Sequence, residues 1–156
     1  MTPDVLIRDA LKAADARNGL PPTPVEDRRI SLDDKYALGE GLVFLTGIHA
    51  LVRMGLEQMR ADRRAGLNSA TMISGYQGSP LGGYDKELHR IGKLRAELGI
   101  HHQPALNEEL GATTVWGSQM ATSFPRPTVD GVLGVWYGKA PGVDRAADSL
   151  LSLIHI

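Results

Sequence analysis

Two rhythms of apolar and polar positions run along this chain. Near its start Val5, Leu6, Leu11 and Ala14 recur at roughly helical spacing and predict a short helix over Pro3 to Arg17. Asn18-Gly19 stops it, and Pro21, Pro22 and Pro24 forbid regular structure after it, so residues 1–35 read as an extension. From Leu42 onward the pattern changes. Thr46-Gly47 opens a helix in which Ala50, Leu51, Met54, Met59 and Ala65 form one broad apolar side, with Arg53, Glu57, Arg60 and Arg64 on the wet side. Gly66-Leu67-Asn68 ends it. Ala70 to Ser74 then reads as a short buried strand running into a glycine-rich turn, Gly75 to Gly83. A second amphipathic helix over Tyr84 to Leu98 closes at Gly99. Ile100 to Leu106 reads as a strand that Pro104 weakens or places near an end. A third helix runs from Asn107-Glu108 to about Ser123, where Pro125 and Pro127 break the chain. Val132 to Tyr137 is the clearest strand, followed by a loop over Gly138 to Gly142 and a fourth helix starting at Asp144.

Strand, turn and helix repeated three times predict an α/β domain over residues 36–150, a parallel sheet with helices on both faces. Its crossovers should be right-handed, and a ligand should bind outside the carboxyl ends of the strands. All three informative turns fall there.

Composition narrows the chemistry. A chain of 156 residues, 42% apolar and 22% charged, has the size and balance of one globular domain. A net charge of −1 gives no reason to expect a nucleic-acid or membrane partner. With no cysteine, the chain cannot hold a disulfide or a thiolate-bound iron–sulfur cluster, and no metal ligands are expected in it. Of the five histidines only His101 and His102 adjoin, and neighbours on a strand point to opposite faces, which makes a poor chelate. No basic segment followed by an apolar one opens the chain, and its apolar stretches are too short to span a bilayer. A soluble, reducing, cytoplasmic setting is the expectation. The last six residues, Leu151 to Ile156, translate CTG TCT CTT ATA CAC ATC, the transposon-end adapter of shotgun sequencing libraries. They are expected to be foreign to the protein, with the bland alternative a real apolar helix end.

Three turns carry candidate chemistry. In Ser74-Gly75-Tyr76-Gln77-Gly78-Ser79-Pro80-Leu81-Gly82-Gly83, Gly75 and Gly78 let a backbone approach a ligand, and Ser79 offers a hydroxyl. No G-x-G-x-x-G register fits, and on spacing alone a plain glycine-rich connection is the better explanation. In Pro104 to Ala112, Asn107 suits a helix cap, and Glu108 and Glu109 suit ordinary partners of a helix dipole. The functional alternative aims one carboxyl inward, with small residues behind it leaving room for a flat ring. In Tyr137 to Arg145, Gly138-Lys139 follows a strand but fails as a P-loop, since Leu133 and Ala140 stand where glycine and Ser/Thr are needed. Lys139 is then a solvated lysine or a cation for a carboxylate.

Order and wording of these turns carry a resemblance. From Leu42 to Asp148 the chain resembles the N-terminal part of the fused indolepyruvate ferredoxin oxidoreductases. It matches their Leu-Thr-Gly helix entry, Ser-Gly-Tyr-x-Gly-Ser-Pro-Leu-Gly-Gly turn, Asn-Glu helix with Trp-Gly, and Trp-Tyr-Gly-Lys-x-Pro-Gly-Val-Asp-Arg loop. It departs at Gly111-Ala112 and at Ala140, where glycine is usual. The resemblance implies the pyrimidine domain of a thiamine-diphosphate-binding fold, truncated here. It implies Glu108 as the catalytic carboxyl that bonds the aminopyrimidine ring, favours its imino tautomer and so promotes loss of the thiazolium carbon proton, with Glu109 as runner-up. It implies Ser79 and, more weakly, Lys139 on the 2-oxoacid, and Gly75 and Gly78 beside the cofactor. The activity implied is oxidative decarboxylation of arylpyruvates to acyl-coenzyme A with reduction of ferredoxin. The Mg²⁺–diphosphate motif, the iron–sulfur cysteines and the coenzyme A region would lie in the remaining domains, and the complete enzyme would be a homo-oligomer inactive as this piece alone. Another thiamine-diphosphate decarboxylase or transketolase-like enzyme, or a non-catalytic α/β binding module, stands as the alternative.

Overall fold

The computed structural model describes residues 31–39, 43–78 and 81–153. The chain divides into two compact units, Met1–Leu32 and Asp33–Ile156, and every element named below belongs to the second. The helix expected over Pro3 to Arg17 lies outside the described residues.

The elements run as helix α1 (Asp34–Ala37), helix α2 (Gly47–Arg64), strand β1 (Ser69–Tyr76), helix α3 (Gly82–Arg90), helix α4 (Gly92–Glu97), strand β2 (Ile100–Ala105), helix α5 (Glu108–Gln119), strand β3 (Gly131–Tyr137), helix α6 (Ala140–Arg145) and helix α7 (Ala147–Leu153). The three strands form a parallel sheet in the order β2-β1-β3. In the register Ile73 stands beside His102 on β2 and Val135 on β3. Since side chains alternate along a strand, these three share one face. There Val52, Leu56 and Met59 of α2 and Tyr84 and Leu88 of α3 complete the main core with Ile73, Ile100 and Tyr137. Helix α5 packs on the opposite face, burying Ala112 and Val115. The fold is therefore α/β, an open three-stranded parallel sheet with helices on both faces.

Several sequence expectations need correction. The buried stripe of α2 is Val52, Gly55, Leu56 and Met59, whereas Ala50, Leu51, Met54 and Ala65 face outward. The helix is turned because Arg53 and Arg60 flank the core instead of the solvent. Arg53 donates to the Lys35 and Leu38 carbonyls and Arg60 to that of Tyr36, so their apolar stems lie under α1. The helix expected over Tyr84 to Leu98 starts earlier, at Gly82, and is interrupted at Ile91, giving α3 and α4. The third helix is α-helical only to Gln119, and Met120–Ser123 continues as a 3-10 turn. The loop over Gly138 to Gly142 is shorter than expected, because α6 begins at Ala140 with Pro141 in its first turn, where no N–H is needed. Helix α7 continues through Leu153, and 154–156 lie outside the described residues.

Candidate active site at the carboxyl edge of the sheet

Parallel strands deliver their carboxyl ends to one edge, so the turns after β1, β2 and β3 emerge together there. The first is anchored by two close backbone approaches at Gly75. A Cβ on Gly75 would lie 2.8 Å from Tyr137 Cγ, and one on Gly111 would lie 2.8 Å from Gly75 Cα. The space around Gly75 is thus filled by the Tyr137 ring on one side and the backbone of α5 on the other. Gly78 is half-buried next to the Tyr76 ring. Ser79 lies outside the described residues.

The second turn places Glu108. Asn107 takes extended backbone and its side chain accepts from the Leu110 amide at 2.8 Å, which starts α5 one residue later. Glu108 is therefore the first helical residue, and it is only 5% exposed. Its carboxyl lies against the third turn: a Cβ on Gly142 would come within 2.8 Å of Glu108 Oε1, and one on Gly138 within 3.1 Å of Glu108 Cγ. Trp136 Nε1 donates to the Glu108 carbonyl at 3.0 Å and ties the two turns together. Among the described residues nothing hydrogen-bonds the Glu108 carboxyl oxygens. They are also not fully enclosed, since the enclosed unpaired side-chain atoms are Thr71 Oγ1 and Asp85 Oδ2. A recessed carboxyl reachable from outside is a rare arrangement, because a buried acid normally has a partner. Glu109, one residue on, is half-exposed and faces Arg145 at 3.6 Å. Lys139 caps α6 with its side chain exposed and without a hydrogen bond or ion pair among the described residues.

A second cluster on the α2–α3 face was not visible in the sequence. Because Gly75 has no side chain, Tyr137 on β3 reaches across β1 towards β2 and α3. Its hydroxyl donates to Asp85 Oδ1 and stands 3.3 Å from His102 Nε2, which is itself 3.2 Å from Asp85 Oδ1. Tyr84 packs edge-on against Tyr137 at 5.2 Å between ring centres. Burial raises the Tyr137 phenol well above its usual range, and the bond to the Asp85 carboxylate adds to the shift. Burial likewise pushes Tyr84 up to about 12. Burial lowers His102; the Asp85 carboxylate opposes this but does not overcome it. Beside the cluster is a cavity of about 500 Å³ lined by Gln77, Gly82, Asp85, Lys86, His89, His102 and Pro104. The sequence offered one hint. His101 and His102 point to opposite faces as strand alternation requires, and His102 is the inward one.

No family model matches the chain, and no curated protein or solved structure proves similar to it. Among the described residues no helix is long and apolar enough to cross a membrane, and no group of three potential ligands could hold a metal ion.

Proposed function

We propose that this chain is the pyrimidine-binding part of a thiamine-diphosphate-dependent 2-oxoacid:ferredoxin oxidoreductase of the indolepyruvate type. The observation that carries the reading is the Glu108 carboxyl, recessed at the carboxyl edge of the sheet and unpartnered among the described residues, with oxygens that remain accessible. Such a carboxyl fits a cofactor whose ring nitrogen needs a proton-sharing partner shielded from water. When bound, thiamine diphosphate supplies an acidic thiazolium carbon that adds to the keto carbon of the substrate. Glu108 would hold the proton at the pyrimidine nitrogen. Gly138 and Gly142 leave the space that its carboxyl occupies, and the Trp136 bond to its backbone fixes the start of α5. Lys139, exposed and without a hydrogen bond or ion pair among the described residues, would meet the substrate carboxylate, and Ser79 would contact it from the first turn.

Mg²⁺, iron–sulfur centres, the coenzyme A site and the docking of ferredoxin belong in this reading to other domains. The test is the activity itself. The complete enzyme carrying this sequence should reduce ferredoxin with indolylpyruvate, coenzyme A and thiamine diphosphate together, and not when thiamine diphosphate is omitted. Full activity without the cofactor, or none with a cofactor shown to be bound, removes the reading.

A further inference from the structure

Helix α6 carries a glycine that its own backbone does not need. Gly142 is buried inside the helix, where its N–H donates to the Lys139 carbonyl at 2.8 Å and its carbonyl accepts from the Ala146 amide at 2.9 Å. Its φ lies outside the left-handed region that Gly66 and Gly99 occupy, so the backbone at this position would take alanine. Inside a helix alanine is favoured over glycine. The reason for a glycine therefore lies in the space around it. Outside α6, the three atoms nearest a Cβ on Gly142 all belong to one side chain, Glu108: its Cγ, Cδ and Oε1, the last two at 2.8 Å.

The geometry points to Gly142 as a positioning residue for Glu108, the missing methyl group at 142 setting where the carboxyl stands. Its catalytic consequence rests on the role proposed above for Glu108; the packing does not. Both backbones at the contact are tied down. Trp136 Nε1 holds the Glu108 carbonyl at 3.0 Å, and the Trp136 ring and Glu108 Cγ close on Gly138, at 3.0 and 3.1 Å from where its Cβ would be. On the other side, Arg145 of α6 faces Glu109 at 3.6 Å, and Ser149 of α7 stands 3.1 Å from Thr113 of α5. The soft part of the contact is the Glu108 side chain, so a methyl group on residue 142 turns it to another rotamer. A carboxyl moved by about 1 Å loses its alignment with a ring nitrogen, which typically costs a factor on the order of 100 in rate.

Two measurements test this. In the full chain, urea titration compares Gly142→Ala with and without Glu108→Ala, and with Gly117→Ala in α5, where the added Cβ meets nothing within 4 Å. Gly117→Ala should raise the folding equilibrium constant by about 2- to 5-fold, as helix propensity allows. Gly142→Ala should lack that gain while Glu108 is present and regain it in Glu108→Ala. An equal effect of Gly142→Ala in both backgrounds overturns the proposal, as does a double variant that fails to fold where Glu108→Ala alone folds. In the complete enzyme, Gly142→Ala should still bind thiamine diphosphate but slow proton–deuterium exchange at the thiazolium carbon by about 10- to 100-fold. It should add nothing to the loss in Glu108→Gln, which a general loosening of the fold would not reproduce. Wild-type exchange in Gly142→Ala beside slow exchange in Glu108→Gln also overturns the proposal. If Glu108→Gln itself exchanges at the wild-type rate, the thiamine reading falls, and the urea comparison still decides whether Gly142 places the carboxyl.

Discussion

Gly75 is enclosed from both sides, by Tyr137 across the sheet and by Gly111 from α5. A methyl group there cannot be accommodated by moving a flexible side chain, because the Tyr137 carbonyl is also in its way. Gly75→Ala should therefore destabilise the chain by about 1–3 kcal/mol, the usual cost of overpacking, read as a lower urea midpoint at unchanged slope. The glycine itself was legible as a place of close backbone approach. Its neighbours were not, since only the parallel register puts Tyr137 of β3 beside it. His102 gives a pH signature. Its pKa is lowered by burial in the folded state, so the unfolded chain binds more protons as pH falls below about 6.5. Its contribution is thus fully present above that pH and is lost on going down through the folded value. Urea midpoints at pH 7.5 and pH 5 should show wild type losing more stability on acidification than His102→Gln. An equal loss in both would assign the acid sensitivity to other groups.

Caps and breakers were read more reliably than faces. Thr46 starts α2 as expected, with its hydroxyl accepting from the His49 amide and the His49 ring accepting from the Thr46 amide, both at 3.3 Å. Thr46→Ala should cost about 1 kcal/mol, measurable in the same urea titration, because the hydroxyl satisfies an amide that the helix cannot. The buried face of α2 was misread because periodicity counts Leu51 and Met54 as core whatever lies beside them. The contacts that turn the helix run from Arg53 and Arg60 to carbonyls of α1. A four-residue helix fixed by arginines has no hydrophobic period to reveal it. Strand β1 likewise extends two residues further into the glycine turn than the pattern shows, since Gly75 and Tyr76 still pair with Pro104 and Ala105. Pairing across a sheet is invisible to a window moving along one strand.

The unit Asp33–Ile156 is built on an open three-stranded sheet, and among the described residues no further strand pairs with the outer edges of β2 and β3. Phe44, Leu106 and Phe124 stand largely exposed. Free strand edges and exposed apolar side chains favour association, so the purified chain should sediment as concentration-dependent oligomers, whereas a strict monomer at all concentrations would contradict this. At this scale the α/β class and the common edge of the three turns were legible, because strand–turn–helix repeats dictate them. The pairing of Glu108 with Gly138 and Gly142 was not, since the crossover from β2 to β3 lies between them in the chain. The central claim is that Glu108 shares its proton with a bound pyrimidine ring, and the most direct measurement is proton–deuterium exchange at the thiazolium carbon in the complete enzyme. Glu108→Gln keeps the size of the side chain but removes the exchangeable proton, so exchange should slow by about 100- to 10,000-fold. Glu109→Gln, at a half-exposed helix start, should leave the rate close to wild type. Exchange that is unchanged in Glu108→Gln, or abolished in Glu109→Gln instead, would contradict the account.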